Sequence, residues 1–290
     1  MFDINEKATL MRSFYKVVLI TVLLLAATNR PAWAQDLPKL FVPHLADAPT
    51  IDGNLTEWKR AAHHDGVWDI YRLRDAPWYD GGARNRLTDQ APDEPALEDD
   101  LRARYYMAWD EEYLYFGAEV VDNVNDVDDP NHAPRRWMYK DAVCWFMEAP
   151  RDDAPEWFGR GDNGFCFVAD ESMPDYAAWW RYGTPTETYQ EAVMPDDAVD
   201  FALEFDPWGS GEGDFILEAR VRMDSFFPTS DPRWQPAAAG DEYSLMIVHT
   251  DPDGGAYGGH FMVYGDGDDD STWSRVILVG EQDPIERLPE

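Results

Sequence analysis

Residues 105–121 read YYMAWDEEYLYFGAEVV, two runs of aromatic, aliphatic and β-branched side chains separated by the acidic triplet 110–112. Aromatic and β-branched side chains are enriched in strands, and a short polar connection between two such runs is typical of a β-hairpin. The segment therefore predicts two adjacent antiparallel strands.

Similar runs recur along the chain with turn residues between them. They span 142–148, 164–169, 201–205, 215–223, 243–250, 260–264 and 276–279. In the fourth of these runs, apolar and charged residues alternate from Leu217 to Met223, the pattern of a half-buried strand. Helical patterns are limited to short segments at 57–62 and 224–227. Many short strands with few short helices predict an all-β fold, an antiparallel β-sandwich.

The composition is acidic but compatible with a folded core. The 290 residues include 24 Lys and Arg against 57 Asp and Glu, a formal net charge of −33, with 44% hydrophobic and 14% aromatic residues. Disordered acidic segments lack this aromatic content. A surface this negative repels phosphate backbones and anionic lipid head groups, which argues against binding to nucleic acid or to membranes through basic patches. Neutral ligands such as sugars, and divalent cations, remain.

The N-terminus has the pattern of a secretory signal peptide. An apolar run at 17–27 follows Arg12 and Lys16 and precedes the sequence Pro-Ala-Trp-Ala at 31–34. The run is about half the roughly 20 residues that a membrane-spanning helix needs, so no membrane span is expected. Cleavage after Ala34 exports the protein to the periplasm, cell surface or medium, and leaves 55 acidic against 20 basic residues, a net charge of −35.

The mature chain is interpreted as a single domain. Residues 1–34 are the signal peptide, 35–48 a short linker, 49–281 the sandwich and 282–290 a C-terminal tail. Within the sandwich, 65–101 is polar and rich in Pro, Gly and Asp, which predicts a long functional or mobile loop.

The two cysteines, Cys144 and Cys166, lie in strand-like runs that could be neighbours in one sheet. An oxidising compartment allows them to form a disulfide. Two buried free thiols fit the sequence equally well, because pairing requires a geometry that the sequence does not show.

Several segments, in their order along the chain, resemble family 9 carbohydrate-binding modules, which were first recognised attached to xylanases. They are Ile51–Trp58 (IDGNLTEW), Ala108–Phe116 (AWDEEYLYF), Asp141–Glu148 (DAVCWFME), Phe215–Phe226, and the C-terminal stretches His249–Gly254 and Ser271–Leu278. The resemblance covers roughly 49–279. It implies a β-sandwich of that family's type, calcium in a structural role, sugar recognition by aromatic side chains, and a glycoside hydrolase, with xylan degradation as one setting, as a partner.

The candidate sugar-binding residues combine aromatic platforms with a polar group. A sugar ring presents C–H groups on one face, which aromatic rings bury, and hydroxyls around its edge, which polar side chains hydrogen-bond. The candidates lie in what the sequence indicates to be loops: Arg136, Trp137, Trp179, Trp180 and Trp273. Trp58, Trp109 and Trp145 lie in regular patterns and are assigned to the core.

The candidate calcium ligands are Asp122, Asp126 and Asp141. Calcium takes six to eight oxygen ligands, which acidic loops can supply. The acidic pair at 251 and 253 and the run at 266–270 are interpreted as solvated loops, since neither matches the EF-hand pattern.

These patterns predict an exported, non-catalytic protein that binds poly- or oligosaccharide. The six histidines show no HExxH spacing, and the sequence contains no Gly-x-Ser-x-Gly motif. Paired carboxylates carry little weight in so acidic a chain. Two alternatives are a b-type haem-binding domain, which requires an axial pair such as His with Met or Lys, and a surface interaction protein without a sugar site.

Overall fold

The described part of the chain forms two β-sheets packed face to face, as seen in a computed structural model. The structure describes residues 39–58, 62–67, 101–125, 137–151, 159, 161–173, 176–183, 188–211, 213–226, 236–251, 260–263 and 270–280. Helix within these ranges is limited to the single turn α1 (Met223–Phe226) and three 3₁₀ turns. The prediction of an all-β sandwich is confirmed.

The smaller sheet has five strands, all antiparallel to their neighbours. Their order is β2 (Ala62–Val67), β3 (Leu101–Trp109), β4 (Tyr113–Asp122), β10 (Phe215–Arg222) and β9 (Val199–Phe205).

The larger sheet has eight strands. Their order is β1 (Lys39–Pro43), β13 (Ser274–Val279), β11 (Glu242–Thr250), β5 (Ala142–Glu148), β6 (Asp162–Val168), β7 (Ala177–Gly183) and β8 (Thr188–Ala192), and β12 (His260–Val263) also pairs with β11. Only the β1–β13 pair of these described strands is parallel.

The acidic triplet between β3 and β4 closes the predicted hairpin. The Asp110 carboxylate accepts hydrogen bonds from the backbone N–H groups of Glu112 (2.8 Å) and Tyr113 (2.7 Å), and from the hydroxyl of Tyr115 (2.5 Å). A side chain that caps its own turn in this way is the reason aspartate is favoured there.

The main core lies between the sheets. Phe116 of β4 stacks on Trp145 of β5 with ring centroids 4.9 Å apart, and Tyr105 and Phe167 meet the same indole edge to face. Trp109 is also in this core, as predicted. Aromatic pairs of this geometry add to the stabilisation that comes from burying their area.

A second layer covers the outer face of the five-stranded sheet and is held by one carboxylate. Glu218 of β10 is fully buried. It accepts hydrogen bonds from Trp58 Nε1 (2.7 Å) and from the backbone N–H groups of Asp52 (2.8 Å) and Gly53 (2.9 Å). Gly53 has a φ of +88°, a conformation that glycine adopts without strain. The segment 51–58 therefore covers Glu218 and is held in place by it. Burial raises the pKa of this carboxyl.

Three expectations about local structure are wrong. The predicted linker 35–48 contains β1, which extends the large sheet by pairing with β13. The predicted loop 65–101 begins inside β2 and ends on the first residue of β3, and 68–100 lie outside the described residues. The helix predicted at 57–62 is replaced by a 3₁₀ turn, Leu55–Glu57.

The predicted turn at 224–227 is present as α1. The predicted signal peptide 1–34 and the predicted tail 282–290 lie outside the described residues. Among the residues that are described, no helix has the length and hydropathy needed to cross a membrane.

We expect Glu218→Gln to lower the free energy of unfolding by about 2 kcal/mol, because the amide NH2 replaces one of the two carboxylate oxygens and leaves at least one of the three N–H groups facing another donor. Denaturant unfolding measures the change. Asp200→Asn is the matched control, since that exposed carboxylate forms a surface ion pair with Arg220 (3.0 Å), and it should cost less than about 1 kcal/mol. Equal losses in the two variants would contradict the role of Glu218 as an anchor.

Candidate functional site

The outer face of the eight-stranded sheet carries a layer of aromatic side chains, here called the aromatic face. Its members are Trp137, Phe146, Tyr176, Trp180 and Trp273. Strands β5 and β6 are buried along their whole length, because this layer covers one face and the core covers the other. One face of a sandwich sheet ordinarily meets water, so an apolar cover at this position sets the face apart.

A disulfide forms the floor of the aromatic face. Cys144 of β5 and Cys166 of β6 are directly opposite each other in the antiparallel register and are bonded. Both are fully buried beneath the aromatic layer. The alternative of two free thiols is therefore overturned.

Three of the predicted sugar-binding tryptophans converge on this face. The Trp137 and Trp273 rings lie 6.2 and 6.4 Å from the ring of Phe146, and Trp180 packs against the same cluster from β7. Their exposure differs. Trp273 is fully buried and Trp137 is 9% exposed, whereas Trp180 is partly exposed. The loop-exposed position expected for Trp273 is thus corrected, and Trp180 offers the accessible surface.

Trp179 does not belong to the aromatic face. It and Trp180 are neighbours in strand β7, and successive side chains of a strand point to opposite faces. The indole of Trp179 lies in the core between the sheets, where its N–H donates to Asn163 Oδ1 (2.9 Å) and its ring meets Phe226. The expectation that Trp179 contacts a ligand is corrected, since its faces are covered by protein.

Arg136 lies outside the described residues. Trp208, in the turn between β9 and β10, was not predicted and is 49% exposed. Its turn is held by Asp206, whose side chain accepts from Gly211 N (3.1 Å), and by Asp214, which accepts from the Ser210 hydroxyl (2.7 Å). The glycine-rich sequence around Trp208 was the available signal.

Two of the predicted calcium ligands meet at one end of the sandwich. Asp122 ends β4, Asp141 precedes β5 and Asp251 follows β11, and all three are nearly fully buried. One carboxylate oxygen from each lies within 4.8 Å of the others. The third predicted ligand, Asp126, lies outside the described residues. The interpretation of the acidic pair at 251 and 253 and of the run at 266–270 as solvated loops is wrong for Asp251 and Asp270, which are buried.

This donor set, here called the 122–141–251 cluster, fits a hard cation. Three buried carboxylates repel one another and lose hydration, a cost that a bound divalent ion offsets. Calcium prefers oxygen ligands at 2.3–2.6 Å, and its coordination sphere is about 5 Å across. The residues present therefore suit the ion that the sequence resemblance implied.

The cluster is joined to the aromatic face through the 3₁₀ turn Trp137–Tyr139. The hydroxyl of Thr250, next to Asp251, lies 2.6 Å from the carbonyl oxygen of Lys140 and 3.2 Å from that of Trp137. A ligand that holds Asp141 and Asp251 in place would therefore also restrict the position of the turn that carries the Trp137 indole.

Of the two histidines whose side chains the structure describes, His249 lies in the core. His249 is fully buried, its Nδ1 is 2.7 Å from the Tyr105 hydroxyl, and its ring lies near Phe215. Burial lowers its pKa to about 3, so the imidazole is neutral. These contacts make it a packing residue of the sandwich.

Comparison with solved structures shows the same fold in sugar-bound modules. A family 9 carbohydrate-binding module from Caldicellulosiruptor kristjanssonii in complex with cellotriose is 14% identical, covering 86% of this chain and 99% of that chain, with a TM-score of 0.51. The same kind of module in complex with glucose has a TM-score of 0.52 at the same identity and coverage.

A carbohydrate-binding protein assigned as such in Bacteroides uniformis is 11% identical over 83% of this chain and 99% of that chain, with a TM-score of 0.49. No protein-family model matches the chain, and no curated protein matches it. The likeness to the two family 9 modules shows that the chain shares their fold.

We expect the double variant Cys144→Ala with Cys166→Ala to lower the free energy of unfolding by about 3 kcal/mol, the loop-entropy value for a disulfide that closes some 20 residues. Denaturant unfolding gives the change. Thiol titration of the unfolded wild-type chain should detect no free thiol, and two titratable thiols would contradict the pairing.

Proposed function

We propose that the protein is an exported, non-catalytic carbohydrate-binding protein that holds poly- or oligosaccharide on its aromatic face. The observation that carries the proposal is the convergence of Trp137, Trp180 and Trp273, which are up to 136 positions apart in sequence, on one face of one sheet. The fold shared with modules solved in complex with cellotriose and glucose supports the same ligand class.

The tryptophans of the aromatic face differ in exposure and therefore in the part they can play in sugar recognition. Trp180 is partly exposed and can bury the C–H face of a pyranose ring. Trp137 is 9% exposed and Trp273 is fully buried in the same cluster, so both contribute mainly by packing beneath the accessible surface.

In this proposal calcium has a structural role at the 122–141–251 cluster. The ion neutralises three buried carboxylates and ties together β4, β5 and β11. By holding Asp141 and Asp251 it also orients the Trp137 turn, so its removal weakens sugar binding without touching the sugar.

Export and partnership complete the proposal. The N-terminal signal pattern and the buried disulfide are both typical of proteins from oxidising compartments. A sugar-binding surface without recognisable catalytic residues suits a protein that keeps glycan close to a glycoside hydrolase acting beside it.

We expect Trp180→Ala to weaken oligosaccharide binding about tenfold or more, because the exposed stacking surface is lost. Calorimetry against glucose, cello-oligosaccharides and xylo-oligosaccharides measures the affinity, and near-ultraviolet circular dichroism verifies the fold.

Trp208→Ala is the matched control, since it removes an exposed indole outside the aromatic face and should leave the affinity unchanged. The absence of binding to every glycan would refute the function. Loss of binding in Trp208→Ala alone would refute its location.

We expect calcium added to chelator-treated protein to stabilise it by about 2.7 kcal/mol at a concentration a hundred times the dissociation constant. Asp141→Asn should reduce this gain, whereas Asp196→Asn, an exposed carboxylate, should not. Thermal unfolding with and without calcium provides the readout, and identical melting temperatures under both conditions would contradict a structural role for calcium.

A further inference from the structure

Strand β9 (Val199–Phe205) is the last strand of the five-stranded sheet, and only one of its sides is paired. That side follows β10 in a continuous antiparallel register. Within the described part of the chain, no strand pairs with its other side. Towards the opposite edge of this sheet, the chain leaving β1 joins the two layers, because the Leu45 N–H donates to the carbonyl oxygen of Trp109 (2.8 Å). The sandwich is therefore open along β9.

The backbone groups that face this open side belong to the odd-numbered residues of β9. Towards β10, the carbonyl oxygen of Ala198 accepts from the Arg222 N–H (2.8 Å). At the other end of the strand, the Asp206 N–H donates to the carbonyl oxygen of Asp214 (2.9 Å). Bonded and non-bonded positions alternate along an antiparallel pair, so the even-numbered residues bond to β10. The residues whose N–H and C=O groups point away from the sheet are Val199, Phe201, Leu203 and Phe205.

This edge lacks three common forms of protection. Edge strands of soluble proteins are often protected by Lys, by Pro or by a β-bulge. The sequence of β9, VDFALEF, contains neither residue, and its register with β10 has no bulge. The side chains of the odd-numbered residues pack against the core but are only partly buried, as at Phe201, whose ring centroid is 5.2 Å from that of Phe167. An added strand would satisfy these backbone groups and cover these side chains.

An exposed tryptophan follows the open edge. Trp208 lies in the turn that leaves β9 and is 49% exposed. The turn is held by the N–H groups of Gly209 and Gly211, which donate to the carbonyl oxygen and the side chain of Asp206 (3.1 Å each). The exposure of the indole therefore belongs to a turn with a defined conformation. Tryptophan is enriched among the residues that contribute most to protein–protein binding, which favours a protein as the occupant.

Charge distinguishes a foreign strand from a second copy of this chain. Asp200 and Glu204 are exposed and lie on the same face of the sheet as Glu218. If two copies paired antiparallel over all seven residues of β9, Asp200 of each would stand opposite Glu204 of the other. Like charges placed directly opposite each other are destabilising. The formal net charge of −33 adds repulsion between copies, whereas it attracts a basic partner.

We propose that β9 and the Trp208 turn form a docking surface for an extended, basic segment of a partner protein, which adds a strand to the five-stranded sheet. Side chains alternate between the two faces of a strand. Apolar side chains on one face of the added strand cover the edge of the core, and basic side chains on the other face meet Asp200 and Glu204. Main-chain hydrogen bonds to the open edge supply affinity, as in other cases of strand addition.

The probe is a nine-residue peptide of alternating Val and Lys that begins and ends with Val, so its pattern is the same in both directions. The matched control peptide has Glu in place of Lys. Calorimetry with the intact protein measures both affinities. We expect one Lys peptide to bind per chain, and the Glu peptide to bind at least about tenfold more weakly.

Three variants locate the binding. Glu204→Lys should weaken binding of the Lys peptide and strengthen binding of the Glu peptide. Glu171→Lys, the same change at an exposed position in the loop after β6 of the other sheet, should change neither affinity. Trp208→Ala should weaken binding of the Lys peptide about threefold or more. Sugar is absent from this experiment, so failure of the proposed function leaves its result unchanged.

Two measurements on the unmodified chain test strand addition itself. Bound Lys peptide should slow hydrogen exchange at the outward amides of Phe201 and Leu203, as followed by nuclear magnetic resonance. Lys peptides with N-methyl groups on one alternate set of residues should lose binding, and those with N-methyl groups on the other set should keep it, because only one set points its N–H groups at β9. Equal effects of the two sets would overturn strand addition.

Three further outcomes overturn the inference. The first is absence of binding by the Lys peptide, and the second is equal binding of the Lys and Glu peptides by the wild type. The third is a dimer of the wild type in sedimentation whose Phe201 and Leu203 amides are protected without peptide, since a second copy then occupies the edge.

Discussion

Strand β5 is the element on which both packing layers depend, because neither of its faces meets solvent. Val143, Trp145 and Met147 face the core between the sheets. Cys144 and Phe146 face the aromatic layer and carry its disulfide floor. A strand with two buried faces must be apolar throughout, so polar groups are confined to its ends. The ends are occupied by Asp141 and Glu148. Each belongs to a group of three buried carboxylates, Asp141 with Asp122 and Asp251, and Glu148 with Asp162 and Asp270.

This arrangement gives the acidic composition a more specific meaning. Part of the charge is internal, since nine carboxylates of the described residues are buried. Buried carboxylates are stable only when hydrogen bonds, cations or protons balance them, and the chain uses several of these means. Glu218 is balanced by three N–H groups, whereas each end of β5 gathers three carboxylates whose oxygens lie within 4.8 Å of one another. The acidity is therefore partly a structural requirement in addition to a solubilising surface.

Much of the fold could be predicted from the sequence, because local side-chain patterns determine which segments become strands. The hairpin at 105–121 and the other runs rich in aromatic and β-branched residues all form strands where the structure describes them. Strand β1 was missed since five residues after a signal pattern are too short to show a period. The β7 strand was missed because turn-forming residues flank it. As a result, Trp179 and Trp180 were both predicted to be loop residues that contact a ligand. The true alternation sends one indole to the core and the other to the aromatic face.

The candidate sites were less accessible to sequence reasoning, because their members come from distant segments. Asp122 and Asp141 could be proposed as ligands, but Asp251 joins them only after β11 is placed beside β5. Glu218 belongs to the charged row of a half-buried strand and looked solvent-exposed, yet a segment 165 positions earlier covers it. Trp273 looked like a loop residue because its burial is created by the sheet beneath it.

The position of the disulfide constrains when its two cysteines can be oxidised during folding. Both sulfur-bearing residues are fully buried under the tryptophan layer, so an oxidant has no path to them once that layer is packed. Oxidation must therefore come before the aromatic residues close over the sheet. In an oxidised chain, the surface on which a ligand would rest is therefore completed after the cross-link has formed.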